Sequence, residues 1–125
     1  MDRKDLSQMS LKEKVERLNQ MILNGKALEA FETFYAEEVM MQENENAPTV
    51  SKAACRVNEE AFVNGIVEFR NAAVKNIIIS DNISVVEWDF DFTHKDWGVR
   101  NYRQLAVQKW NDKGQIISEK FYYNN

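Results

Sequence analysis

The sequence is poor in the residues that build disulfides, zinc sites and phosphate-binding loops. It has one cysteine, one histidine, one proline and four glycines in 125 residues. The single Cys55 permits no internal disulfide, which favours a reducing compartment, and one histidine (His94) with one cysteine excludes His-rich and Cys-rich zinc clusters. The glycines stand at expected turns or helix ends, so no glycine-rich phosphate loop is predicted. We therefore expect no metal and no cofactor.

Basic charge and long apolar runs are also scarce. The chain has sixteen Lys and Arg residues and twenty Asp and Glu residues, which gives a net charge of −4, and the basic residues are scattered. This pattern argues against binding to a nucleic-acid backbone. The longest aliphatic run, residues 77–79, is far short of the roughly 20 residues of a membrane span, and no secretory signal is visible. We expect a cytoplasmic protein without nucleic-acid or membrane partners.

Three helices are predicted in the first half of the chain. The length predicts one domain, residues 10–125, behind a flexible N-terminus of residues 1–9. Ser10 and Glu13 form a capping box, and the apolar stripe that follows ends at Asn24-Gly25. A short helix is expected from Ala27 to about residue 36, and a third from Ser51 to about residue 64.

Strands dominate the second half. A short strand is expected at residues 38–43, and from residue 66 onward the apolar period is two. Strands near residues 67–80, 83–94, 99–110 and 115–123 are joined by short turns, which is typical of an antiparallel meander. Helices followed by strands predict an α+β fold.

The last hairpin leaves the direction of Glu119 open. A two- or four-residue turn places Tyr102, Gln104, Ala106 and Gln108 on the face of Glu119. A three-residue turn with a bulge would instead place Leu105 and Val107 there. We favour the first register because it separates a polar-lined inner face from an aliphatic outer face.

The outer face of this hairpin is expected to be apolar and uncovered. No fourth helix remains to cover it, which favours a homodimer through this sheet face, and partial burial by the chain termini is the alternative. The predicted dimer residues are Leu105, Val107, Ile116 and Tyr122.

Two motifs resemble the nuclear-transport-factor-2-like superfamily, most closely its SnoaL-like branch. They are F-Y-A-E-E at residues 34–38 and Q-L-A-V-Q-K-W-N-D-K-G-Q-I-I-S-E-K-F-Y-Y at residues 104–123. The resemblance covers about residues 10–124. It implies a cone-shaped, cystatin-like α+β roll, in which two to three N-terminal helices pack on a curved, mainly antiparallel sheet around an apolar pocket. The superfamily includes isomerases, cyclases, dehydratases, small-molecule binders and non-catalytic modules, so the fold alone does not set the function.

The resemblance to ketosteroid isomerases is incomplete at the site. Their general base is an Asp a few residues beyond a Y-A-D-D tag, and Y-A-E-E in this chain implies Glu43 at that place. Their two oxyanion donors, a Tyr and a protonated Asp, match positions near Leu18 or Asn19 and at Ala106. Neither donor is present, which argues against the isomerase reaction.

The resemblance to SnoaL-type cyclases implies one inward-facing acid in the last strand of this chain. Their last strand carries a His and an Asp, and the matching positions here are Glu119 and Phe121. Glu43 and Glu119 are therefore the candidate catalytic residues. The alternative is that Glu43 is a hydrated loop acid and Glu119 a structural, hydrogen-bonded one. His94 is expected at the surface of a strand end, and Cys55 as a small buried hydrophobe.

The sequence thus predicts a domain that binds a small hydrophobic molecule. If it is an enzyme, the reaction would be a cofactor-free proton transfer of the isomerase, cyclase or dehydratase type. The alternative is a non-catalytic protein-interaction or dimerisation module. The residues expected to line the pocket are Tyr35, Met41, Trp88, Phe90, Phe92, Tyr102, Gln104, Ala106, Phe121 and Tyr123.

Overall fold

Within residues 8–124, three α-helices pack on one face of a six-stranded sheet. The computed structural model describes residues 8–124, so most of the expected flexible N-terminus (residues 1–7) lies outside the described part. The helices are α1 (Leu11–Leu23), α2 (Ala27–Phe34) and α3 (Lys52–Gly65). The strands are β1 (Tyr35–Glu43), β2 (Thr49–Val50), β3 (Ile66–Ser80), β4 (Ile83–His94), β5 (Gly98–Trp110) and β6 (Ile116–Tyr123).

Local capping sets the bounds of α1. The Glu13 amide donates to Ser10 Oγ at 3.2 Å, and the Ser10 amide donates to Glu13 Oε1 at 3.0 Å. This capping box satisfies two backbone donors that a helix start leaves unpaired. The helix stops before Gly25, whose φ of 78° suits glycine. Within residues 8–124, no helix is both long and apolar enough to cross a membrane.

The second helix ends earlier than its apolar pattern predicts. The pattern extends it to residue 36, whereas the structure ends α2 at Phe34 and begins β1 at Tyr35. Tyr35 pairs with Ile116 of β6, so the backbone of this segment bonds to the sheet instead of continuing the helix. Tertiary pairing here overrides local propensity.

The sheet order is β2-β1-β6-β5-β4-β3. Strands β3 to β6 form the antiparallel meander, β1 pairs parallel with β6, and β2 pairs antiparallel with β1. The predicted α+β fold with a mainly antiparallel sheet is confirmed. Its hydrophobic core lies between the helices and the inner face of the sheet.

A bulge in the last hairpin corrects one prediction. Gln108 pairs with Glu119 and Ala106 with Phe121, so these four side chains share the inner face, as we favoured. The register then shifts between Lys109 and Trp110, so that Ile116 pairs with Trp110. Ile116 is fully buried in the core, and its expected place on the outer face is wrong. An extra residue on one strand reverses the inward and outward alternation beyond it.

The remaining predicted outer-face residues are accessible. Leu105 and Tyr122 pair directly across β5 and β6 and are 40 % and 41 % exposed. Val107 beside them is half-buried. Further along this face Arg103 binds Asp89 at 3.0 Å, so the outer face combines a small apolar area with ion pairs.

Candidate functional site

A cavity of about 570 Å³ lies between the helices and the inner face of the sheet. Its lining includes both candidate acids, Glu43 and Glu119. It also includes nine of the residues expected there from the sequence: Tyr35, Met41, Trp88, Phe90, Tyr102, Gln104, Ala106, Phe121 and Tyr123. Those from β4, β5 and β6 occupy alternate positions of their strands, which explains why they share one face, and Tyr35 and Met41 come from β1.

Phe92 was expected to line the cavity, but it does not. The residue is 1 % exposed and is not part of the cavity lining. Its ring forms T-shaped contacts with the rings of Phe62 and Tyr102, with 5.5 Å and 6.0 Å between the ring centroids. Phe62 from α3 covers it, so Phe92 supports the wall from behind.

Glu119 forms the polar floor of the cavity. Its side chain is 2 % exposed. Tyr35 Oη donates to Glu119 Oε1, and Gln108 Nε2 donates to Glu119 Oε2 at 2.7 Å. A buried carboxyl needs such partners, because leaving water without them costs several kcal/mol. The strand pairs Gln108↔Glu119 and Tyr35↔Ile116 bring the three groups together.

A chain of hydrogen bonds holds Gln108 in one orientation. Trp110 Nε1 donates to Ser84 Oγ at 2.9 Å, and Ser84 Oγ donates to Gln108 Oε1 at 2.7 Å. An indole nitrogen can only donate, so the serine proton must go to the glutamine oxygen. The amide NH₂ of Gln108 is thereby turned toward Glu119. We had not singled out Ser84, although it is a polar residue in the inward-facing series of β4.

Burial has the largest effect on the pKa values of the groups at the cavity floor. It raises the pKa of Glu119 from 4.5 to about 7, although the hydrogen bonds from Tyr35 and Gln108 act in the lowering direction. Burial and the adjacent Glu119 also raise the pKa of Tyr35 well above 10. Tyr35 therefore remains a neutral donor, while the Glu119 carboxyl can gain or lose a proton near neutral pH.

A second acid, Glu59 of α3, also lines the cavity. Burial, followed by the charges of Glu119 and Glu43, raises the pKa of Glu59 from 4.5 to about 8. None of the hydrogen bonds or ion pairs found among residues 8–124 involves its carboxyl. Sequence reasoning missed Glu59. The available signal was its spacing, four residues after Cys55 and three before Phe62, which places an acid on the inner face of the helix.

Glu43 occupies a wetter part of the cavity than Glu119. The residue is exposed, and its Oε1 accepts a hydrogen bond of 2.8 Å from Tyr123 Oη. Burial and this carboxylate raise the pKa of Tyr123, which keeps the phenol protonated. Tyr123 also lies against the ring of Tyr102, at 5.2 Å between centroids. Glu43 thus orients an aromatic wall of the cavity.

His94 and Cys55 have structural surroundings. His94 is 2 % exposed, which corrects its expected place at the surface. Its Nε2 donates to the Ala61 carbonyl at 3.2 Å, and its Nδ1 accepts from the Asp96 amide at 3.1 Å, the pattern of a neutral ring. Cys55 is buried, and burial raises the pKa of its thiol. Within residues 8–124, no group of three or more His, Cys, Asp or Glu side chains could hold a metal ion.

Comparison with known proteins identifies the family. The sequence profile of the SnoaL-like domain matches residues 9–123. The chain belongs to the SnoaL-like family. With that family it belongs to the nuclear-transport-factor-2-like superfamily, as the two sequence motifs indicated. No curated protein matches the chain significantly.

Solved structures share the SnoaL-like fold at low identity. One is a candidate SnoaL-like polyketide cyclase from Mesorhizobium loti, with 19 % identity and a TM-score of 0.81 over 92 % of this chain and 100 % of that one. A second candidate cyclase, from Jannaschia sp. CCS1, has 12 % identity and a TM-score of 0.77 over 99 % and 91 %. A protein with a cystatin-like fold from Xanthomonas campestris has 10 % identity and a TM-score of 0.80 over 94 % of this chain and 92 % of that one. At these identities the likeness concerns the fold.

Proposed function

We propose that this chain binds a small, mainly apolar molecule in the cavity, with Glu119 as its polar anchor. The observation that carries the proposal is a buried carboxyl at the floor of a 570 Å³ cavity with aromatic walls. Ligand sites typically have about 300–1,000 Å³ of space, apolar walls and a few convergent polar groups. SnoaL-like domains have a fold suited to such binding.

Proton transfer by Glu119 is the catalytic extension of this proposal. A general base works best when its pKa lies near the working pH, and burial brings the pKa of Glu119 to about 7. The reaction would be cofactor-free, of the isomerase, cyclase or dehydratase type. Glu43, which is exposed and bonded to Tyr123, is better suited to orienting the wall than to serving as the base.

Oxyanion stabilisation is the weaker part of an enolising mechanism here. Such a mechanism needs a donor that faces the developing negative charge. The two donors at the floor, the Tyr35 hydroxyl and the Gln108 amide, already donate to Glu119. This favours ligand binding as the primary function and places proton transfer second.

Binding can be tested with a matched pair of variants. Ala106→Leu adds atoms to the cavity wall, whereas Ala73→Leu adds the same atoms beside Asp89 on the outer face. Native mass spectrometry of protein purified from cells should show an apolar ligand on wild type and on Ala73→Leu, and much less on Ala106→Leu. Equal ligand occupancy in both variants would contradict the proposal.

The proton-transfer extension has its own test. Carbon NMR of the isotopically labelled Glu119 carboxyl should give a midpoint near 7 rather than 4.5. A midpoint at the ordinary value would remove Glu119 as a neutral-pH base and leave the binding proposal intact.

A homodimer through the outer sheet face is the second candidate role, favoured by the exposed cross-strand pair Leu105 and Tyr122. Pairing this face with its copy would remove both side chains from water without involving the cavity. The cytoplasmic location that the single cysteine favours also belongs to this proposal.

A further inference from the structure

The hydrogen-bond chain at the cavity floor has a fixed direction, and Glu119 is its end. Trp110 can only donate, Ser84 donates a hydrogen bond to Gln108, and Gln108 donates one to Glu119. The Tyr35 hydroxyl donates to the other carboxylate oxygen of Glu119. The chain cannot be reversed, since Trp110 has no acceptor. When it is ionised, Glu119 therefore meets a ligand with unused lone pairs, and the matching group on the ligand then brings the hydrogen.

The acids of the cavity have no cationic partner. No ion pair within residues 8–124 involves Glu43, Glu59 or Glu119. The cationic side chain in the described lining is Arg100. It lies eight positions from Gln108 along β5, roughly 26 Å at about 3.3 Å per residue, and packs over the Tyr102 ring at 5.3 Å. The cavity floor is thus acidic, and no cationic side chain of the described lining lies near it.

The cavity walls between the acidic floor and Arg100 suit a cation. Trp88 and Phe90 stack at 5.1 Å between ring centroids, and Tyr102 and Tyr123 lie against each other at 5.2 Å. All four rings line the cavity. Aromatic faces attract ammonium groups through the ring quadrupole, most strongly where water is excluded.

We propose that the ligand of this cavity is an amine: a mainly apolar molecule whose protonated nitrogen donates to Glu119 and shares the field of Glu59. This inference rests on the proposed binding function and adds the chemical class of the ligand. The ammonium group would supply both of the missing features of the floor, the hydrogen and the positive charge. A carboxylic acid would face two carboxyl groups instead.

Three probes with one skeleton separate these features. Adamantylmethylamine, adamantylmethanol and adamantanecarboxylic acid differ in the polar group, and the cavity volume admits the shared cage. Isothermal titration at about pH 9, above the pKa of both cavity acids and below the roughly 10.4 of an alkylammonium group, should give the amine a Kd at least about tenfold below that of the alcohol. The reason is that hydrogen bonds to charged groups are the stronger ones. The acid should bind most weakly.

Matched variants test which carboxyl groups cause the preference for the amine over the alcohol. Glu119→Gln and Glu59→Gln each remove one ionisable carboxyl from the cavity, whereas Glu38→Gln removes one from the exposed surface of β1. The two cavity variants should lose most of the preference for the amine over the alcohol, and Glu38→Gln should keep it. Glu59→Gln decides the matter if Glu119→Gln does not fold, because the Glu59 carboxyl holds no hydrogen bond within residues 8–124.

The outcomes separate this inference from the binding proposal. Equal affinity for amine and alcohol would overturn the amine inference and leave the cavity as a binding site. Tightest binding of the acid would also overturn it and would point to Arg100. No binding of any probe, with no ligand on protein from cells, would overturn both.

Discussion

Replacing Glu119 with Gln should change how stability depends on pH. The unfolded carboxyl loses its proton near pH 4.5, and the folded one near pH 7. Between these values the folded state binds more protons than the unfolded state, so the free energy of unfolding falls as the pH rises. The loss is complete above about pH 7, and below pH 4.5 the group contributes no penalty.

The size of the effect follows from the shift. Each tenfold change in proton affinity is worth about 1.4 kcal/mol, so raising this pKa from 4.5 to about 7 costs about 3 kcal/mol once the carboxyl is ionised. Glu119→Gln carries no charge at any pH. Its amide oxygen can accept from Gln108 and its NH₂ can donate to Tyr35 Oη, which is the hydrogen-bond pattern of the protonated Glu119 carboxyl. The variant should match wild type at low pH and exceed its stability by about 3 kcal/mol near pH 8.

Urea unfolding followed by tryptophan fluorescence across this pH range measures the difference directly. Glu59 adds its own pH dependence to both proteins. Because the charge of Glu119 contributes to the raised pKa of Glu59, its removal should add to the stability gain of the variant at high pH. Glu38→Gln, a charge change at the exposed surface, should follow the wild-type curve. If the curves of Glu119→Gln and wild type stay parallel from pH 4.5 to 8, burial does not raise the pKa of Glu119 and the reasoning fails.

Three further substitutions test the packing and the surface. A Cβ at Gly65 would stand 2.0 Å from His94 Nε2, so Gly65→Ala should cost about 2–3 kcal/mol in thermal unfolding, and an unchanged Tm would contradict the buried place of that ring. Both side-chain polar atoms of Asn19 are buried and have no hydrogen-bond partner within residues 8–124, so Asn19→Leu should raise the free energy of unfolding by about 1–2 kcal/mol in urea titration; a loss would imply a partner for Asn19. Leu105→Asp should convert a dimer to a monomer in size-exclusion chromatography with light scattering, and a monomeric wild type would refute the outer-face dimer.

The sequence predicted the elements whose signals are local. The capping box at Ser10 and Glu13 sets the start of α1, and Asn24-Gly25 sets its end. Alternation along β4 separates Trp88 from Asp89, and the short turns of the last four strands fix the meander. These features depend on neighbouring residues, so they can be recognised without a structure.

Residues at the ends of elements were harder to place. Tyr35 joins a strand because β6 supplies a parallel partner from the far end of the chain. Ile116 turns inward because the hairpin absorbs an extra residue as a bulge next to Trp110. In both cases the backbone satisfies its hydrogen bonds with a distant segment, which local patterns do not record.

The candidate site shows the same division. By itself the sequence determined that Trp88 and Phe90 share one face of β4, since alternation fixes which residues of a strand lie on the same side, and it favoured an inward Glu119 while leaving a second register open. Only the tertiary structure decided that Glu59 of a separate helix shares the cavity and that the chain from Trp110 ends on Glu119. It also decided that Phe92 lies behind the wall. The physical reason is that burial, hydrogen-bond direction and the pKa of a carboxyl depend on groups brought together from distant parts of the chain.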